Sequence, residues 1–288
     1  MSDVLQAVFG GLTLGAQYAL MALGFSMIFG ILRVINFAHG AFYTLGGYIG
    51  YYVSTEMGMP FVVGLIVAAL VTALLGYAFE ITVIEQRIDD HLATIVLTLG
   101  LGLMITAAVL ILFGPQAVAY NFPLEGTLRI GGAAVPYGRL IVIGVAVVAV
   151  MLIHLFLYRT QTGRGLRAMA DDRHIAVTQG MRPKILFPLA FGIATGIAGL
   201  TGALVTPLFS LAPSIGDQVL MVSFLAVILG GLGSLSGAVL ASLLIGMVES
   251  FAGIYIGGTV APLLLFCLVL VLLVVRPTGL LGREVKHV

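Results

Sequence analysis

The chain has 288 residues, 60 % of them hydrophobic and only 9 % charged, with a formal net charge of +1. Ordinary soluble domains carry about 25 % charged residues, so a water-soluble globule is excluded; the ample apolar surface excludes a disordered chain, and the near-neutral charge gives no footprint for nucleic acid. What remains is an all-α, polytopic transmembrane helical bundle.

A crossing helix needs about 20 apolar residues, and in chain order such stretches run over 5–32, 38–55, 60–81, 92–113, 139–158, 185–210, 218–231, 236–256 and 259–275. That makes eight to nine spans, one of them broken or re-entrant. The first is punctuated by Gly10, Gly11, Gly15, Gly24 and Gly30 and reads as one long span or two half-spans. Asp3 is the only charge before Arg33, so a cleaved signal peptide is not expected. After Arg33 come Asn36, His39 and Gly40, which fit either an interfacial loop with a capping Asn and a solvated His, or an unwound element packed near a translocation path or the cytoplasmic side. Thr94, Thr98, Gly100, Gly102 and Thr106 put small polar groups on the 92–113 span, for helix packing or for a path. Residues 114–138 hold Pro115, Pro123, Pro136, Gly126, Gly131 and Gly132 and read as turns and short strands. The 218–231 stretch is only about 21 Å long as a helix. It runs into Gly230-Gly231-Leu232-Gly233-Ser234-Leu235-Ser236-Gly237, a tight turn, a close helix contact or a lining of the path.

Six of the thirteen basic residues (Arg159, Arg164, Arg167, Arg173, Arg182 and Lys184) fall between 159 and 184. The positive-inside rule places that segment, and the tail with Arg276, Arg283 and Lys286, in the cytoplasm. Nine crossings satisfy both and leave the N-terminus outside; two half-spans at the start would move it inside. With no Trp in the chain, interface anchoring falls to Tyr18, Tyr51, Tyr52, Tyr77, Tyr137, Tyr158 and Tyr255, which lie near expected span ends.

The chemistry that is missing narrows the function. Glu80 and Glu85 close the third span and Glu249 lies within about two turns of an outer end, so no ionisable group marks a span centre for proton or sodium coupling. No GxxxxGK[ST] stretch accompanies Lys184 or Lys286, so the chain binds no ATP through a P-loop of its own. No HExxH, paired-His or GxSxG element occurs, and the lone Cys267 allows neither an intrachain disulfide nor a cysteine metal site. No catalytic residue, metal or cofactor is expected.

Within the basic segment, Gly165 and Gly180 bracket a 14-residue run of helix formers stopped by Pro183. Leu166, Met169, Ala170, Arg173 and Val177 share one face of a helix over 165–180, with Arg167, Asp171, Asp172 and His174 off it. Such a helix either lies on the membrane surface or docks in a groove of another protein; the Asp171-Asp172 pair is a poor fit to anionic lipid.

Four stretches, Gly163-Arg164-Gly165-Leu166-Arg167-Ala168 through Asp171-Asp172 and Gly180-Met181, Gly24 through Asn36-Phe37-Ala38-His39-Gly40, Gly230 through Leu240, and Arg276-Pro277-Thr278-Gly279-Leu280-Leu281-Gly282, resemble the inner-membrane permeases of branched-chain amino acid ABC importers, of the shorter of two permease types. The resemblance covers nearly the whole chain. It implies a single permease domain over 1–288 in the bacterial inner membrane, with a cytoplasmic coupling loop at 159–184. It also implies a homologous permease partner, two cytoplasmic ATPases that carry ATP and Mg, and an external solute-binding protein that delivers to the loops at 114–138 and 211–217. Arg164, Gly165, Leu166, Arg167, Met169, Asp171, Asp172, Arg173 and Gly180 become candidates for ATPase coupling. Asn36, His39, Gly40, Thr94, Thr98, Gly230, Gly231 and Gly233 become candidates for the path or gate. The family also serves urea and short amides; a secondary transporter working alone on an ion gradient is the competing class.

Overall fold

A computed structural model describes residues 2–276 and 278–282. The basic tail residues Arg283 and Lys286, and Pro277, lie outside the described residues. The apolar stretches become α1 (Ser2–Leu32), α2 (His39–Tyr51), α3 (Phe61–Phe79), α4 (His91–Phe113), α5 (Tyr137–Arg159), α8 (Pro183–Val205), α9 (Ile215–Gly230), α10 (Leu235–Tyr255) and α11 (Ala261–Val275). Two short helices, α6 (Gln161–Asp171) and α7 (Arg173–Thr178), fill the basic segment. Among the described residues six helices are long and apolar enough to cross a membrane; α9 and α11 are shorter, as is the 13-residue α2. Three of the nine expected spans therefore fall below the usual crossing length.

The long first stretch is one continuous helix, not two half-spans. The 114–138 segment carries a hairpin, β1 (Thr127–Ile130) antiparallel to β2 (Ala133–Pro136), with Ile130 opposite Ala133. Its two-residue turn is Gly131-Gly132, both at positive φ (56° and 88°), which the twist of a tight hairpin requires.

The helices sort into two compact units, each described by itself. The first holds residues 1–26, 122–148 and 221–288. In it α1 and α10 touch backbone to backbone. Side chains built on Gly11 and Gly15 would start 2.8 Å from Met247 Cα and 3.0 Å from Leu243 Cα, and Gly246 packs against Gly11 and Gly15 in return. Lipid offers no hydrophobic drive for helices to associate, so small residues that permit such contact supply the dispersion energy instead.

The second unit holds residues 27–121 and 149–220. Its centre is α2, whose Phe42, Tyr43 and Tyr48 are fully buried. Gly46 lies against Gly199 of α8, Gly202 of α8 against the Tyr43 carbonyl, and Gly40 against the Gly216 backbone. Along α8, Gly192 and Gly196 pack on α3 at Tyr77 and Ala73, and the Thr195 hydroxyl donates to the Thr72 carbonyl at 3.0 Å. Tyr48, Tyr120 and Leu211 form a buried cluster with Phe113 and Val118 packed on it, and the Val118 amide donates to the Leu211 carbonyl at 2.9 Å.

Two expectations are corrected. Tyr18 is no interface anchor: it is 5 % exposed in the middle of α1, and its hydroxyl donates to Glu249 Oε2 at 2.8 Å. Glu80 does not close its span. The helix continues through a π-turn (Glu80–Ile84) and a 3₁₀ turn to Arg87, and the Glu80 side chain is fully buried.

Candidate functional site

The expected single helix over 165–180 is two helices with a break at Asp172. Thr160 starts α6, its hydroxyl accepting from the Gly163 amide at 3.0 Å, as a short polar N-cap does. Gly165, expected at the N-terminal end, lies within α6. The chain turns from α5 into α6 so sharply that Gly163 lies against the Phe156 carbonyl and the Leu157 backbone, where no side chain fits. At the break Asp172 adopts extended backbone (φ −154°, ψ 106°), and its carboxylate accepts from the Ile175 amide at 2.9 Å, starting α7. The Met181 amide reaches the Ala176 carbonyl (3.2 Å) and the Gly180 amide the Val177 carbonyl (2.9 Å), with Gly180 at φ 88°. This is the Schellman closure that only glycine adopts at no steric cost.

The break redistributes the apolar stripe. Leu166 and Met169 are buried within the unit, and Gly165 sits 3.3 Å from Leu186 of α8, measured from where its Cβ would be. Val177, expected on the same face, is exposed, and so is Ile175, which periodicity did not single out. The α6 face thus seats the segment on its own spans, and α7 presents apolar side chains outward.

The charged residues divide the same way. Arg167 Nε donates to the Leu157 carbonyl at 3.0 Å and its guanidinium stacks 4.2 Å over the Tyr158 ring, fastening α6 to the end of α5. Arg173 pairs with Asp89 at 2.8 Å and lies 5.4 Å over the Phe187 ring. Lys184 approaches Glu85 at 4.0 Å. These pairs join the α3–α4 turn to the basic segment; being largely exposed, each contributes at most about 1 kcal/mol. Arg164, Asp171 and Asp172 are exposed.

The 33–38 link touches this segment. Arg33, at φ 60°, reaches the Ala170 carbonyl of α6 at 3.5 Å. Beyond it Asn36 and His39 are buried, so the solvated-His reading fails. Asn36 Oδ1 accepts from the Ala38 amide at 3.1 Å, a local turn that leads into α2. Thr98 of α4 donates to the Ile35 carbonyl (3.2 Å) and accepts from the Phe37 amide (3.3 Å), satisfying the backbone groups of an unwound buried strand of chain. Thr44 accepts from the Gly216 amide at 3.1 Å. The Thr94 hydroxyl donates to the His91 carbonyl of its own helix at 2.9 Å. Asn36, His39, Gly40 and Thr98 are therefore brought together.

In the first unit, Gly230, Gly231 and Gly233 form the α9–α10 turn, with Gly231 and Gly233 at φ 101° and 84°. The chain after α11 folds back on it: the Leu280 amide donates to the Leu229 carbonyl at 2.7 Å and the Leu281 amide to the Gly230 carbonyl at 3.1 Å. Gly230 also lies against Gly237. These glycines serve a turn and a close contact.

Residues 7–275 match the family described as branched-chain amino acid transport system / permease component. The high-affinity branched-chain amino acid transport system permease protein BraD of Pseudomonas aeruginosa is 31 % identical, over 99 % of this chain and 98 % of that protein. The corresponding permease protein LivH of Escherichia coli is 29 % identical over 99 % and 97 %. The permease protein LivM of Escherichia coli is 26 % identical over 93 % of this chain and 68 % of its own length.

Proposed function

Because the chain belongs to the branched-chain amino acid transport permease family, we propose that it is the membrane-spanning permease of an ATP-driven importer for leucine, isoleucine and valine in the bacterial inner membrane. It crosses nine times, with α2, α9 and α11 completing the six longer spans, the N-terminus outside, and the segment 159–184 in the cytoplasm. A homologous permease pairs with it, as the similarity of both LivH and LivM to this chain suggests. Two ATPases bind and hydrolyse ATP with Mg, and an external binding protein supplies the amino acid. The chain contributes a path and no catalysis.

The observation that carries the proposal is the division of labour in the basic segment: α6 is seated on the spans while α7 offers Ile175 and Val177 outward. An ATPase that grips α7 moves α6, and through Arg33, Asp89 and Glu85 the α1–α2 link and the α3–α4 turn. Coupling is then a difference in contact energy between two arrangements of these elements. The test is uptake by the reconstituted importer of radiolabelled leucine, isoleucine, valine and urea. ATP-dependent accumulation of the three amino acids is expected; accumulation of urea alone reassigns the cargo to short amides.

A further inference from the structure

In the second unit the α3–α4 turn, α7 and the start of α8 line a cavity of about 560 Å³, within the size of small-molecule sites, about 300–1,000 Å³. Ile88 and Phe187, both buried, give it an apolar wall. Glu85, Asp89, Arg173, Arg182 and Lys184 give it charges of both signs. Asp89 is taken by Arg173 at 2.8 Å. Lys184 Nζ stands 4.0 Å from Glu85 Oε1, in Coulomb contact but too far for a hydrogen bond. The Glu85 side chain is only 27 % exposed. Arg182 belongs to neither ion pair among the described residues. It is the N-cap residue of α8, whose first turn has no side-chain cap and so keeps the partial positive charge of a helix start.

One cavity therefore holds a shielded carboxylate with acceptor capacity left, two cations with donors left, and an apolar surface beside them. An anionic lipid headgroup is a poor occupant, because its phosphate would meet the Glu85 and Asp89 carboxylates. An α-amino acid with an apolar side chain suits all of it. Its carboxylate lies against Lys184 and Arg182 and its ammonium against Glu85. Because Lys184 and Glu85 are already in contact, the four charges then alternate in sign, and the side chain covers Ile88 and Phe187. Charges this open to water bind weakly, so such a site fills where the amino acid is concentrated, not where it is scarce.

We propose that this cavity is a product site, in which an apolar α-amino acid binds from the side that receives the cargo and slows the importer. The site rests on the reading of the cargo as an amino acid and of 159–184 as cytoplasmic. The bound amino acid bridges the α3–α4 turn, through Glu85 and Ile88, to α8, through Arg182 and Lys184. Arg173 of α7 is held on the same wall, paired with Asp89 and lying over the Phe187 ring. A ligand shifts an equilibrium toward the arrangement it binds better, here the one that keeps these elements together. Movement of α7 against the α3–α4 turn is opposed, and ATP turnover falls as the product accumulates.

The test is ATP hydrolysis by the complete importer in proteoliposomes whose ATPases face the medium, with the binding protein and saturating leucine inside. Leucine added to the medium at about 10 mM, roughly ten times the dissociation constant of about 1 mM expected of exposed charges, should lower hydrolysis at least about threefold. Leucinamide and 4-methylpentanoate, which each carry one of the two charges, should have less than about half that effect. Each variant is scored against its own rate without added leucine. R182Q and E85Q should lose the inhibition. Undiminished inhibition in either places the leucine elsewhere and overturns the site, as does equal inhibition by leucinamide or 4-methylpentanoate. Arg182 is exposed, so R182Q decides alone should E85Q fail to assemble. An importer that moves urea and no amino acid refutes the cargo and the site together; one that moves leucine yet ignores leucine in the medium refutes the site only.

Discussion

The Asp172 carboxylate accepts from the Ile175 amide at 2.9 Å, and this bond divides the basic segment 159–184 into a seated helix and a presented one. Asp172 thus serves as the N-cap of α7. D172A should remove about 1 kcal/mol of capping, speed amide exchange over 173–178 and lower uptake. D172N or D172S, which cap without charge, should restore both. Equal loss in D172A and D172N would assign the role to charge.

Ile175 and Val177 are the exposed apolar residues of α7, while Leu166 and Met169 of α6 are buried. I175D and V177D should weaken co-purification of the ATPase about tenfold or more and leave the permease in the membrane. L166A and M169A should do the reverse, costing about 2–5 kcal/mol of stability and lowering the yield of folded permease. Quantified ATPase recovery against permease recovery separates the two sets.

Arg167 makes its bonds within the chain, to the Leu157 carbonyl and the Tyr158 face. R167A should cost about 1–2 kcal/mol, measured as a lower midpoint of thermal unfolding in detergent. R167K should recover little, because an ammonium on a flexible stem does not reproduce a stacked, planar donor.

Gly46 and Gly100 test the packing account from opposite sides. An added methyl on Gly46 meets the Gly199 backbone, whereas nothing lies within 4 Å of one on Gly100. G46A should destabilise by about 1–3 kcal/mol; G100A should be neutral or gain up to about 1 kcal/mol from helix propensity. Thermal midpoints of the two variants check this.

Much of this was legible in the residues alone. Length and hydropathy located the apolar stretches, since the bilayer demands long unbroken runs. Turn chemistry marked 114–138 as turns and short strands, within which the hairpin lies, and placed the stop at Gly180. The break at Asp172 was not legible: Asp in a run of helix formers is either a face residue or a cap, and only the backbone angle distinguishes them. That ambiguity also put Val177 on the face of Leu166. Tyr18 looks like an interface anchor in sequence because a tyrosine in a span has two uses, and its partner Glu249 lies 231 positions away. The link 33–38 admits two readings from its residues alone, because its backbone bonds end on Thr98, a residue of another helix.

In the proposed function this chain supplies a gate and an ATPase bound at α7 supplies the energy. The most direct measurement is leucine accumulation in proteoliposomes holding the two permeases and the binding protein, with and without the ATPases, under imposed proton and sodium gradients. Accumulation is expected only with ATPases and ATP, and is expected to disappear in I175D/V177D under either gradient. Concentration of leucine by the permeases alone, driven by a gradient, would contradict the account.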